Sequence, residues 1–246
     1  MLWRPGIVLL VAFGLLAACN PRPQGTVVHD PYETVNRAWF ERNLALDSAI
    51  GSDRSDDEAE PAAPGGNVLQ QRVRHFGSNL SHPGYVVNNV LQLRPDRAMH
   101  NFFRFAINST IGIGGLFDPA ASVGLIARPT DFGETMHRWG ANEGAYVVLP
   151  VIGPSTERDA AGMVVNIFLD PLRYVLPGRE RVGATGARLA GRIADRQAFG
   201  DIIDANVMRS EDPYAQARLL FLQARRHHLG MDSEDDFIDP YADFPD

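Results

Sequence analysis

Glu134 and His137 stand three residues apart, which places a carboxylate and an imidazole on one face of a helix, the spacing found in di-iron bundles. Such a centre needs the motif twice plus two further glutamates, and no second copy exists in this chain. There is no HExxH and no GxSxG. Gly112, Gly114 and Gly115 follow a helix-like stretch instead of opening a helix after a strand, so they make a poor dinucleotide loop. A hydrolytic site would need Asp131, His137 and Ser155 gathered in one pocket. All 23 basic residues are arginine. That excludes a P-loop NTPase, whose lysine grips the phosphates, and any Schiff-base or pyridoxal-phosphate chemistry. The expectation is a protein that is not an enzyme, with no cofactor and no metal.

One residue does carry a specific chemistry. Cys19 is the only cysteine and follows Leu16-Ala17-Ala18, the arrangement in which bacterial lipoprotein processing places a diacylglyceryl group on sulfur. Residues 1–18, with Arg4 ahead of an apolar run from Ile7 to Leu16, are the matching export signal. That run is about half the ~20 residues a membrane-spanning helix needs. Asn20 in place of aspartate directs the protein to the outer membrane, on its periplasmic face. Two or three acyl chains, at about 0.8 kcal/mol per buried methylene, make the attachment effectively permanent. Loss of Arg4 takes the formal net charge from -7 to -8. A surface of that sign is repelled on balance by anionic lipid and by nucleic acid.

The elements that must position the rest are mostly helices. Asp-Pro pairs at 30–31, 118–119, 170–171, 212–213 and 239–240 read as an N-cap followed by proline at the first helical position. The expected organisation is a signal at 1–18, a tether at 19–29, one helical domain at 30–230 and an acidic disordered tail at 231–246. Within the domain, helices are expected at 31–46, 68–76, 85–93 after a break at Pro83-Gly84, 96–111, 130–139, 156–169, 179–205 and 213–229. Residues 48–66, acidic and rich in proline and small side chains, read as a flexible loop. Residues 146–152 read as a short β element. Residues 105–117, FAINSTIGIGGLF, hold no charge and three glycines. They are too few to span a bilayer and enough to lie in one leaflet or line an amphiphilic cavity.

The chain resembles the MlaA/VacJ family of outer-membrane phospholipid-transport lipoproteins. The resemblance rests on DPYETVNR (30–37), NLSHP (79–83), FRFAINSTIGIGGLFDPA (103–120), DFGETMHRWG (131–140), GAYVVLPVIGPSTERD (144–159) and DPYAQAR (212–218). It implies a helical ring in the inner leaflet of the outer membrane, with an amphiphilic channel through which mislocalised outer-leaflet phospholipid is removed and passed to a soluble periplasmic carrier, in association with a trimeric porin. Position and chemistry make Asn108, Gly112, Gly114, Gly115, Phe117 and Asp118 the lipid-path candidates, with a Gly115→Leu change expected to narrow the path and raise outer-leaflet phospholipid while leaving protein levels normal. The alternative reading is a lipoprotein that scaffolds porins without moving lipid. The acidic 48–66 segment departs from the family pattern, and the tail lies outside it.

Overall fold

The computed structural model describes residues 28–51, 67–203, 207 and 210–231. The signal peptide, Cys19, the acidic residues 52–66, the Asp239-Pro240 pair and the tail from 232 lie outside the described residues. Within them the protein is predominantly helical with one two-stranded sheet, as expected. In chain order the elements are α1 (Glu33–Gly51), α2 (Val68–Leu91), α3 (Pro95–Thr110), α4 (Pro119–Ser122), α5 (Phe132–Arg138), β1 (Tyr146–Leu149), β2 (Gly153–Thr156), α6 (Glu157–Leu169), α7 (Leu172–Val175), α8 (Gly178–Ile203) and α9 (Pro213–Leu229). The described residues divide into two compact units, one formed by 28–50, 140–161, 207 and 210–231, the other by 51, 67–139 and 162–203.

The first unit is built on α1, the hairpin and α9. Phe40, Tyr146, Val148, Tyr214 and Leu222 are buried in it, and the Phe40, Tyr146 and Phe221 rings meet Tyr214 or one another edge to face. β1 pairs antiparallel with β2 on one edge. On its other edge two asparagines of α1, seven residues apart and so on one helix face, pair with the open backbone. Asn36 donates to the Tyr146 carbonyl at 3.0 Å and accepts from the Val148 amide at 2.8 Å. Asn43 does the same for the Leu149 carbonyl at 2.9 Å and the Val151 amide at 2.8 Å. A side-chain amide carries one donor and one acceptor face, so each asparagine substitutes for a peptide unit of a missing strand.

In the second unit α2 packs against α3, α5 and α8. Where α2 meets α8 the backbones come close: a Cβ on Gly77 would lie 2.6 Å from the Ala187 carbonyl oxygen. Gly133 of α5 and Gly162 of α6 meet in the same way, with 2.5 Å left for a Cβ at Gly162.

Three boundaries differ from expectation. α1 runs to Gly51, beyond the expected end at Leu46. The Asp30-Pro31 pair does not cap it; the helix starts at Glu33, and the Asp30 carboxylate instead accepts from Asn36 at 2.8 Å, from Arg218 at 2.6 Å and from the Tyr214 hydroxyl. The largest difference is α2, one 24-residue helix that passes through Pro83. Proline has no N–H for the preceding turn and its ring crowds the carbonyls there. The carbonyl that loses its helical donor is that of Asn79; next to it the Leu80 oxygen accepts from Arg188 of α8 at 3.1 Å. Two side chains reinforce the turn before. The Ser81 hydroxyl donates to the Gly77 oxygen at 3.1 Å, and His82 Nδ1 lies 2.8 Å from the Ser78 oxygen. Packing along both flanks holds the two halves in line, which local propensity does not register.

Candidate functional site

α3 begins at Pro95, with Asp96 in its first turn, and shows an inverted distribution of side chains. Ala98, Asn101, Arg104 and Asn108, at helical spacing, form the buried face. Met99, Phe102 and Phe103 are each about half exposed, and Ile111 at the helix end is 71% exposed. In a water-soluble helix the apolar stripe faces the core. Here the stripe faces outward and the amides and guanidinium face inward.

The helix ends in a glycine-rich turn because the backbone goes left-handed over three successive residues: Ile113 (φ 52°), Gly114 (φ 70°) and Gly115 (φ 98°). The Gly112 amide still reaches Ile107, and the Phe117 amide closes back on Gly112 at 3.0 Å. Gly112 admits no side chain, since a Cβ would sit 2.5 Å from the Asn108 carbonyl oxygen. Gly115 rests on the Asn79 side chain, with 2.4 Å left for a Cβ. The expected Gly115→Leu effect is therefore corrected: a larger residue there collides with Asn79 and disrupts the turn itself. Gly114 has open space around it.

Beneath the turn lies a buried polar network from α2, α3 and α4. Asn79 donates to Ser109 Oγ at 3.0 Å and to the Gly114 carbonyl at 3.2 Å. Arg104 uses each nitrogen differently. Nε donates to His82 Nε2 at 3.0 Å, one terminal nitrogen donates to the Leu125 carbonyl, and the other meets the Asp118 carboxylate at 2.6 Å. Asp118 also accepts from Asn108 at 2.9 Å and caps α4 through the Ala121 amide, while Asn108 Oδ1 accepts from the Ala120 amide. The acceptor role of His82 Nε2 puts its proton on Nδ1, facing Ser78. Burial, reinforced by the Arg104 charge, lowers its pKa to about 4, against the pull of its backbone hydrogen bonds. Burial pushes the Asp118 carboxyl upward, but the Arg104 and Asn108 hydrogen bonds outweigh it and hold the group below its usual range.

A second buried cluster joins α2 to α5. Gln92 donates to Thr130 and Thr135, Thr135 donates to Asn88, and Asn88 donates to Asn166 of α6. Glu134 accepts from Thr130 and from Arg94, both at 2.7 Å. Its carboxylate is thus engaged by a cation and a hydroxyl. Asp131 caps α5 by accepting from the Glu134 amide at 2.7 Å. Ser155 is buried in β2 of the first unit, whereas Asp131 and His137 belong to the second.

Of the lipid-path candidates, Asn108, Gly112 and Gly115 are buried, Gly114 and Phe117 are exposed, and Asp118 is half-buried. The structure joins Asn108 and Asp118 directly. It adds Asn79, His82 and Arg104, which the sequence reading did not single out. The signal for Arg104 was its polar spacing with Asn101 and Asn108; which side of that helix faces inward was not readable.

Polar side chains turned inward and apolar ones outward on α3, with no helix among the described residues long and apolar enough to cross a membrane, define the class: a helical protein that sets a buried polar network behind an exposed apolar helix face. A family model described as MlaA lipoprotein matches residues 28–228. The chain belongs to the MlaA lipoprotein family. It is 32% identical to the intermembrane phospholipid transport system lipoprotein MlaA of Haemophilus influenzae, over 87% of this chain and 86% of that one, and 30% identical to its namesake in Escherichia coli K12, over 79% and 76%. An uncharacterised protein of Rickettsia felis is 37% identical over 80% of this chain and 77% of its own. A structure solved in a study of the maintenance of bacterial outer-membrane lipid asymmetry superposes with a TM-score of 0.61 at 26% identity, covering 81% of this chain and 98% of that one.

Proposed function

We propose that this protein removes mislocalised phospholipid from the outer leaflet of the outer membrane and delivers it to a soluble periplasmic carrier, working as a lipoprotein anchored at Cys19 on the periplasmic face beside a trimeric porin. The observation that carries the reading is the inverted α3 and its glycine turn: an apolar outside suited to a leaflet, backed by buried amides and a guanidinium. A head group crossing bare hydrocarbon costs several kcal/mol or more, and polar groups set inside an apolar shell lower that barrier. Asn79, Asn89, Gln92 and Asn101 each bury an amide oxygen with no hydrogen-bond donor among the described residues, an unusual concentration of acceptors in one unit. The names borne by the Haemophilus and Escherichia relatives support the same role.

The test is the outer-leaflet phospholipid content of cells lacking this protein. It rises in their absence, returns to normal with the intact chain and stays high with a Cys19→Ala copy. Normal lipid asymmetry in the deletion strain overturns the reading. Porin capture without phospholipid transfer in reconstituted vesicles favours a scaffold instead.

A further inference from the structure

The chain is acidic as a whole, yet its charge is unevenly placed. Residues 61–117 hold five arginines (72, 74, 94, 97 and 104) and one acid, Asp96, a local balance of +4 in a chain of net -7. Two of these cations are neutralised at close range, Arg94 by Glu134 and Arg104 by Asp118. Arg72 is different. It makes no ion pair among the described residues, and its guanidinium carbon lies 4.1 Å from the centre of the Phe117 ring.

That seat has consequences. A guanidinium flat on an aromatic face is held by cation–π attraction while its N–H edge stays open, and that edge matches two oxygens of a phosphate. The surroundings are apolar. Phe117, Leu116 and Ile113 of the glycine turn are exposed, and so are Val68 and Leu69, which precede Arg72 by four and three residues on the same face of α2. A cation with no ion pair among the described residues, seated on one ring of a turn whose other apolar side chains are exposed, suits a molecule with an anionic head and apolar tails.

We propose that Arg72, seated on Phe117, binds the phosphate of a phospholipid whose acyl chains lie along the turn and the first turn of α2. This rests on the phospholipid reading above and names the group that receives the head. Inorganic phosphate shares the chemistry of the head but not of the tails, so the two are separable.

The experiment uses the full-length protein in detergent, mixed with vesicles of phosphatidylethanolamine and phosphatidylglycerol carrying a trace of fluorescent phospholipid, and reads lipid bound per protein. R72Q lowers binding about tenfold, the loss of one charge-assisted bidentate contact, and R72K less. Phe117→Leu, which keeps the apolar surface and removes the seat, falls between the wild type and R72Q. Inorganic phosphate does not compete. Because Arg72 makes no ion pair among the described residues and its guanidinium lies on a ring that is itself exposed, the melting profile of R72Q stays close to that of the wild type. Unchanged lipid binding by R72Q, with an active wild-type protein, overturns this inference alone. Displacement of the lipid by inorganic phosphate replaces it with a free-anion site. A wild-type protein that binds no phospholipid overturns the transport reading as well.

Discussion

Four aspartates of Asp-Pro pairs lie within the described residues, and each holds an arginine: Asp30 with Arg218, Asp118 with Arg104, Asp170 with Arg188 and Asp212 with Arg37. Asp170 and Asp212 are gripped through both oxygens. A guanidinium can satisfy a carboxylate and a carbonyl or imidazole together, which an ammonium cannot do with fixed geometry. In a chain without lysine this makes the Asp-Pro pair a fastening as well as a helix start; Asp118 and Asp212 perform both tasks. Arg37 holds the Asp212 carboxyl down to about 2. His82 gives the clearest pH signature. Its folded pKa of about 4 lies below its ordinary 6.5, so the unfolded chain takes up a proton first as pH falls. Stability is complete above pH 6.5 and declines down to pH 4, by about 3 kcal/mol at most. His82→Gln, which keeps an acceptor for Arg104 and cannot titrate, flattens that stretch of a plot of melting temperature against pH. A wild-type plot already flat between 6.5 and 4 contradicts the assignment.

At the scale of elements, the hairpin shows how a helix can impose a conformation. The Ile152 amide reaches back to the Pro150 carbonyl at 2.7 Å, making a three-residue turn centred on Val151 at φ 66°. A β-branched residue there is strained, and such turns are rare. Asn43 holds the Leu149 carbonyl just before the turn and the amide of its central residue, Val151, so the strain is maintained from α1. Asn43→Ala removes two hydrogen bonds and costs about 1–3 kcal/mol. Val151→Gly relieves about 1–2 kcal/mol of backbone strain and offsets part of it through the freer unfolded chain, for a net gain of up to about 1 kcal/mol. Chemical denaturation of the two variants checks the opposite signs; a loss in Val151→Gly defeats the strain argument. The hairpin arm at 146–152 was legible from its apolar run between glycines. Its clamp was not, because Asn36 and Asn43 lie more than a hundred residues away. The unbroken α2 was missed for a related reason: Pro83 is a local signal, and the packing that overrides it is not local.

For the whole molecule, the consequence of exposed apolar side chains is affinity for lipid independent of the anchor. Purified Cys19→Ala protein is expected to float with phospholipid vesicles, and Ile113→Glu, at a 64% exposed position, to reduce that fraction about tenfold or more, since a charge in hydrocarbon costs ~2.5–3.5 kcal/mol. Equal flotation of the two places Ile113 outside the bilayer. What the sequence determined unaided is what local chemistry carries: the helical class, most helix starts, the absence of lysine-dependent catalysis and the motifs that mark the family. Tertiary structure alone decided that Asn101, Arg104 and Asn108 face inward and the phenylalanines outward, that Gly115 rests on Asn79, and that Arg72 lies over Phe117. Periodicity states that a helix has two faces, but the side each presents to its neighbours depends on what those neighbours are, and in a protein that meets lipid the usual assignment reverses.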